Sequence, residues 1–226
     1  MCSRYNLTET VEAVREHFGA WNGEPFPPRY NIAPTQPTLI VRVDHNHKRE
    51  LALVRWGLIP GWAKDPARLS LMINARAEGA TEKASFRGAM RHRRCLIPAN
   101  GFYEWTGKAG ARQPHLIRRT DSGLLAFAGL WESWLGADGS EIDTMAILTV
   151  AANNKLSPLH DRMPAILQPE HFDAWLDARG FKAEMAVEML RPAPDDLLEH
   201  ITVDPRLNNA RNEGPELIVP FREWLL

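Results

Sequence analysis

The sequence predicts an α+β fold in a single domain spanning residues 1–226, and three observations lead there. Strand-like runs crowd the middle of the chain and do not alternate with long helices, which argues against a doubly wound α/β sheet. A length of 226 residues with 44% apolar residues suits one hydrophobic core. No repeat, low-complexity stretch or clean linker divides the chain.

The elements follow in order. Leu7, Val11, Val14 and Phe18 recur at helical spacing behind Thr8 as N-cap, which predicts a first helix over about 8–18. The proline-rich EPFPPRYNIAPTQP reads as an ordered loop rather than a regular element, with Phe26, Tyr30 and Ile32 seeking burial. TLIVRV and ELALVRW flank the polar turn DHNHKR and predict a hairpin. GLIPGWAKDPARLS is loop, and SFRGAMRHR is a short helix capped by Ser85. The runs CLIPA, FYEWT, PHLIRR, LLAFAGLW, MAILTVA and PAILQ then read as strands, separated by the turns TGKAGARQ, TDSG and GADGSE. PEHFDAWLDA and AEMAVEMLRP are two late helices, the second stopped by Pro192, and HITVDP is a last strand.

Composition excludes several functions. No apolar run is long enough to span a membrane, and the start lacks a secretory signal, so a cytoplasmic protein is expected. Two cysteines, Cys2 and Cys95, do not make a disulfide framework. No compact metal-ligand spacing occurs; His45 and His47 fit the polar turn better than a metal, and no cofactor is implied. The net charge of −1 hides an asymmetry: residues 1–120 hold 19 Lys and Arg against 10 Asp and Glu, whereas residues 121–226 hold 8 against 18. Such a split hints at nucleic acid, although the two halves also offset each other if they fold together.

Four places carry chemistry. Cys2 follows the initiator Met1, and a small second residue permits its removal. The freed cysteine presents an α-amine of pKa about 7.7–8.0, against about 10.4 for lysine, beside a thiol. Amine and thiol together close a five-membered thiazolidine ring on an aldehyde. NARAE supplies Asn74, Arg76 and Glu78, either a polar and phosphate-binding set or a capped turn with a surface ion pair. In GFYEW, strand alternation puts Glu104 on the face of Phe102, where burial would raise its pKa; the plainer alternative is an exposed strand carboxylate. In LSPLHDRMP, His160 stands beside Asp161 and Arg162 in a loop between two prolines, as an acid–base group or an ordinary surface histidine. Cys95 reads as a buried core thiol.

Taken in order, the MCSRY start, RYNIAPTQP, RWGLIPGWAKD, INARAE, SFR, RRCLIPANGFYEW, FAGLWE, LHDRMP and RNEGPELI resemble the SOS-response-associated peptidase family of abasic-site processing proteins. Each motif is weak alone, but nine in one order across about residues 1–220 are specific. The resemblance implies a compact fold with a curved, barrel-like, mostly antiparallel β core surrounded by helices. It implies a monomer that binds single-stranded DNA containing abasic sites, associated with the nucleoid when bound. The nucleophile then matches Cys2, the asparagine at the abasic site Asn74, the proton-handling glutamate Glu104 and the catalytic histidine His160. Arg4, Arg76 and Arg162 look like phosphate contacts, and Trp62 like a stacking or wedge residue. Two departures stand out: Ser3 replaces the glycine common after the cysteine, and Ala63 replaces a second aromatic after Trp62.

Two other readings remain open on residues alone. An N-terminal-nucleophile amidohydrolase or glutamine amidotransferase also uses a cysteine exposed by loss of Met1, with Arg4 or Arg76 for the substrate carboxylate. A non-catalytic reader of modified DNA would bind without needing Cys2.

Overall fold

A computed structural model describes residues 2–23, 25–108 and 110–221. Twelve strands and four short α-helices follow in order: β1 (Tyr5–Leu7), α1 (Val11–Phe18), β2 (Arg29–Ile32), β3 (Pro37–Val43), β4 (Arg49–Trp56), β5 (Asn74–Arg76), α2 (Arg87–His92), β6 (Arg94–Ala99), β7 (Gly101–Thr106), β8 (Gln113–Arg119), β9 (Leu125–Leu135), β10 (Glu141–Ala151), β11 (Arg162–Pro164), α3 (Phe172–Leu176), α4 (Ala183–Glu188) and β12 (Leu198–Thr202).

Five strands close into a barrel. Strand β10 pairs in parallel with β4 on one edge and antiparallel with β9 on the other. Antiparallel pairing through β4, β3, β6 and β9 completes the ring. Strand β10 outruns the ring, so its far end takes β5 in parallel over residues 147–149 and β11 antiparallel over residues 149–151. A second sheet, antiparallel throughout, runs β12–β8–β7–β1–β2. The expected α+β class with a barrel-like, mostly antiparallel core holds.

Aromatic contacts weld the second sheet to the barrel. The Tyr5 ring meets Trp56 at 5.1 Å and Phe127 at 6.0 Å between centroids, and Phe102 meets Phe127 at 5.8 Å, all edge to face. Each of these buried side chains contributes on the order of 1.5–3 kcal/mol by leaving water. The turn from β6 to β7 needs Gly101, because a Cβ there would lie 2.6 Å from the Ile117 carbonyl oxygen. Glycine lets β8 approach, and β7 is thereby held with alternate residues facing the barrel.

Several expectations are corrected. The first helix begins at Val11 with Thr10, not Thr8, as N-cap: Thr10 Oγ1 accepts from Ala13 N–H at 3.2 Å, while the Thr8 and Glu9 amides donate to Asn100. Residues RYNI of the proline-rich stretch form β2, since no proline interrupts them and β1 offers a free edge. Helix α2 starts after Phe86 without a side-chain cap from Ser85. PAILQ is strand only in part: its Pro164 ends β11 and its Ile166 makes an isolated bridge to Phe127. The late helices are cut to five and six residues. The turn TGKAGARQ falls partly outside the described residues.

Candidate active site

The site forms where β1 and β7 of the second sheet meet β5 and the β10–β11 connection of the first. Cys2 enters it just ahead of β1 and is fully buried. Asn74, first residue of β5, donates from its side-chain amide to the Cys2 carbonyl oxygen at 2.7 Å. Asparagine suits this position because it fixes the cysteine backbone without adding charge. The Cys2 thiol points toward the Arg4 carbonyl, with Sγ 3.7 Å from that oxygen. Burial and then the Glu104 charge hold the thiol well above its ordinary pKa, so it stays neutral. Met1 lies outside the described residues; while Met1 is attached, the Cys2 nitrogen is an amide and not a nucleophile.

Glu104 sits on β7 beside Phe102 in strand alternation and is only 6% exposed. Burial pushes its carboxyl up to about 7, and the charge of Asp161 acts in the same direction. A carboxyl at that value is half protonated at neutral pH and can both give and take a proton.

His160 lies in the connection from β10 to β11. Its Nδ1 accepts from the Arg162 amide at 2.9 Å and lies 2.8 Å from Asp161 Oδ1. A donor serves the neutral ring and a carboxylate serves the imidazolium, so both protonation states find a partner at one nitrogen. Burial lowers the His160 pKa, and Asp161 opposes that only in part. The neutral form therefore dominates near pH 7, with its proton on Nε2.

The outer residues differ from one another. Trp62 is 58% exposed, steadied by a 3.3 Å bond from Nε1 to the Ala84 carbonyl, which leaves its ring face open. Arg76 is exposed and shares the Asn74 side of β5. Arg162 forks onto both Glu78 oxygens at 2.7 and 2.9 Å and also reaches Thr149. Arg4 turns its Nη1 to Asn31 Oδ1 at 2.6 Å and to the Leu207 carbonyl at 3.1 Å, with its guanidinium 5.8 Å from the Trp105 ring. It is thus partly committed to the fold. Beside it, Ser3, Trp105, Arg112 and Asn208 line a cleft of about 340 Å³. Ala63 is buried, and its carbonyl accepts from Trp134 Nε1 at 2.6 Å.

Cys2, Asn74, Glu104 and the His160–Asp161 pair are brought together; Arg4, Arg76 and Arg162 stand two residues from Cys2, Asn74 and His160, whereas Trp62 is an exposed ring on the loop after β4, bonded to Ala84. The residues read from the sequence did not include Asn31, which is fully buried and holds Arg4, nor His115, opposite Glu104 on β8. Asn31 carries no local signal beyond lying in RYNI, and His115 becomes a neighbour of Glu104 only once the β7–β8 register is known. Among the described residues no group of three or more potential metal ligands clusters, and no helix is long and apolar enough to cross a membrane.

Comparison with known proteins gives a consistent picture. The family model of the SOS response associated peptidase (SRAP) matches residues 1–210. The abasic site processing protein YoqW of Bacillus subtilis is 38% identical over 222 residues, covering 96% of this chain and 99% of the relative. The abasic site processing protein HMCES of Gallus gallus is 33% identical over 225 residues, covering 86% of this chain and 66% of the relative. A crystal structure of a Bacteroides thetaiotaomicron protein superposes with a TM-score of 0.86 at 24% identity, over 98% of this chain and all of that one, which speaks to the fold alone.

Proposed function

The chain belongs to the SOS response associated peptidase family, and from that premise we propose that it processes abasic sites by crosslinking to them. Its substrate is single-stranded DNA with an abasic site, and its nucleophile is Cys2 after loss of Met1. The observation that carries the reading is the pairing of a cysteine whose backbone is held by Asn74 with a buried carboxyl at about 7 whose charge reaches its thiol. The names of the relatives, abasic site processing proteins, favour the same substrate.

An abasic deoxyribose equilibrates between a closed hemiacetal and an open aldehyde. His160 assists opening in its imidazolium form, which Asp161 supports at Nδ1: Nε2–H donates to the ring oxygen as the C1′–O4′ bond breaks, the anomeric hydroxyl's proton passes to water, and solvent reprotonates the ring. The Cys2 amine adds to C1′, and the carbinolamine loses water after Glu104 protonates the departing hydroxyl, leaving a Schiff base. The thiol then adds to the imine carbon, its proton passing by way of Glu104 to the nitrogen, and a thiazolidine closes. Neither oxidant nor metal is needed. The raised thiol pKa fits this order, because the thiol stays protonated until the imine forms. Arg76, Arg162 and Arg4 contact flanking phosphates, Trp62 stacks on a neighbouring base, and Asn74 holds the nucleophile, which raises its effective concentration at the sugar.

The test is direct. Met1-free protein is incubated with abasic single-stranded DNA and run on a denaturing gel. A heat-stable shifted band is expected; its absence would overturn the proposal, and ammonia release from glutamine would favour an amidotransferase instead.

A further inference from the structure

The five-stranded sheet continues the site beyond Glu104. In the β7–β8 ladder Glu104 stands directly opposite His115, and in the β8–β12 ladder His115 stands opposite Thr202. Directly opposed residues of antiparallel strands share a face, with Cβ atoms about 4.5–5.5 Å apart. Thr106, two residues beyond Glu104 on β7, shares that face and holds the His115 ring: its hydroxyl lies 2.9 Å from Nε2. The other ring nitrogen, Nδ1, is buried and makes no hydrogen bond. A buried polar atom left without a partner is costly, so such an atom beside a reactive carboxyl calls for a use.

We propose that His115 is the positioning residue for Glu104, its Nδ1–H donating to the Glu104 carboxylate in the Met1-free protein, directly or through one water. The assignment deepens the function proposed above and rests on it for its role in catalysis. The Thr106 hydroxyl donates to Nε2, which places the ring proton on Nδ1, on the face of Glu104. Burial, then the His200 charge, lowers the His115 pKa, so the ring is a neutral donor near pH 7. A neutral donor stabilises the carboxylate without locking it, since it adds no full charge to the buried site. The groups facing this pair are the Cys2 thiol and, once Met1 is gone, the Cys2 α-amine, Asp161 from the β10–β11 connection, and His200 on β12, whose ring centroid is 5.8 Å from that of His115. Asp161 opposes ionisation of Glu104, a protonated α-amine favours it, and His115 favours it from the same ladder rung in every variant that keeps the ring.

The experiment titrates Glu104 itself. Met1-free protein carrying carbon-13 at glutamate side-chain carboxyls is followed by NMR across pH, with Glu104→Gln used to assign the resonance. Replacing the donor by a ring of similar shape, His115→Phe, is expected to move the Glu104 midpoint up by about one pH unit. His115→Gln, which retains a neutral donor, is expected to bring it back to within a few tenths of a unit. Thr106→Val, which only releases the ring proton from Nδ1, moves it the same way but less. An unchanged or lowered midpoint in His115→Phe overturns the assignment, and Thr106→Val supplies the reading should the Phe variant not fold. The titration needs no DNA, so a protein that forms no crosslink would refute the proposed function while leaving this coupling measurable. With crosslinking intact, the pH–rate limb governed by Glu104 shifts by the same amount in His115→Phe; a change in maximal rate with an unshifted limb would mean a merely structural histidine.

Discussion

Cys2 and Cys95 are both fully buried, and burial holds both thiols well above their ordinary pKa, yet their surroundings are opposites. Cys95 sits in the barrel wall on β6, opposite Gly129 of β9. A Cβ on Gly129 would lie 2.9 Å from its Sγ, so the glycine makes room for the sulfur. The Trp175 indole N–H takes the Cys95 carbonyl at 2.8 Å, and the thiol serves as a small apolar filler. Cys2 lies at the seam of the two sheets, with Asn74 on its carbonyl and Glu104 near its sulfur. Burial and thiol pKa therefore do not separate the two. What separates them is whether groups able to move protons stand within reach, and whether cleavage can turn the residue's amide into an amine.

The sharpest way to break this contrast is to delete each sulfur in turn. Cys2→Ala is expected to abolish the stable crosslink while leaving reversible DNA binding nearly intact. Cys2→Ser retains the amine and should give only a Schiff base that borohydride traps. Cys95→Ala should keep its crosslinking rate within about twofold and instead lose on the order of 1 kcal/mol in denaturant unfolding, as small core truncations do. Loss of crosslinking in Cys95→Ala, with the fold intact, would show that the barrel wall is not the inert region.

Acid–base residues come next in size. Glu104→Gln is expected to slow crosslink formation by about 10²–10⁴-fold, and to slow reversal with it, because the same proton transfers run both ways. His160→Ala should slow reaction with the closed hemiacetal and matter far less with an acyclic aldehyde analogue. Equal losses on both substrates would merge the two residues into one unit that positions the sugar. Stability provides a second axis. The folded pKa of Glu104, about 7, lies above that of an unfolded glutamate. The folded state thus binds more protons between about pH 4.5 and 7, and the Glu104 contribution to stability is full below that window and is lost as pH rises through it. Glu104→Gln should therefore melt higher than wild type at pH 8, by up to about 3 kcal/mol, with the difference vanishing toward pH 4.5. A variant no more stable at pH 8 would mean the carboxyl is not strained by burial.

The same contrast explains what the sequence could tell. Strand alternation alone placed Glu104 with Phe102, because a period of two survives any register. The barrel hairpin β3–β4 was legible for the same reason, its apolar runs lying close on either side of a polar turn. Closure was not legible, because it depends on β10 pairing in parallel with β4, a contact far apart in sequence. Strands β1, β2 and β5 escaped notice because three or four residues carry too little pattern, yet β1 and β5 deliver Cys2 and Asn74. Thr8 read as the cap of the first helix, but Asn100, distant in sequence, takes its amide and Thr10 caps instead. The candidate residues could thus be named from residue types and motif order, whereas their assembly into one place depends on short strands and on register.

The smallest expected effect lies at the rim, where the arginines sharpen the distinction between holding DNA and reacting with it. Three phosphate contacts from Arg4, Arg76 and Arg162 predict a slope of about −2 in log affinity against log salt for single strands, at about −0.7 per contact. Arg162 shares its guanidinium with Glu78, so binding DNA must compete with that ion pair. Arg162→Gln should flatten the slope by about 0.7, and Glu78→Gln, which frees the guanidinium, should tighten binding a few-fold at low salt. Neither should change the crosslinking rate at saturating DNA. The reason is local: Arg162 serves His160 through its backbone amide, which both variants keep. Affinity across salt and single-turnover rate at saturation, measured on the same two variants, separate the roles. A rate that falls at saturation with an unchanged slope would move Arg162 from the DNA rim into the reacting centre, and the boundary between the two regions would have to be redrawn around it.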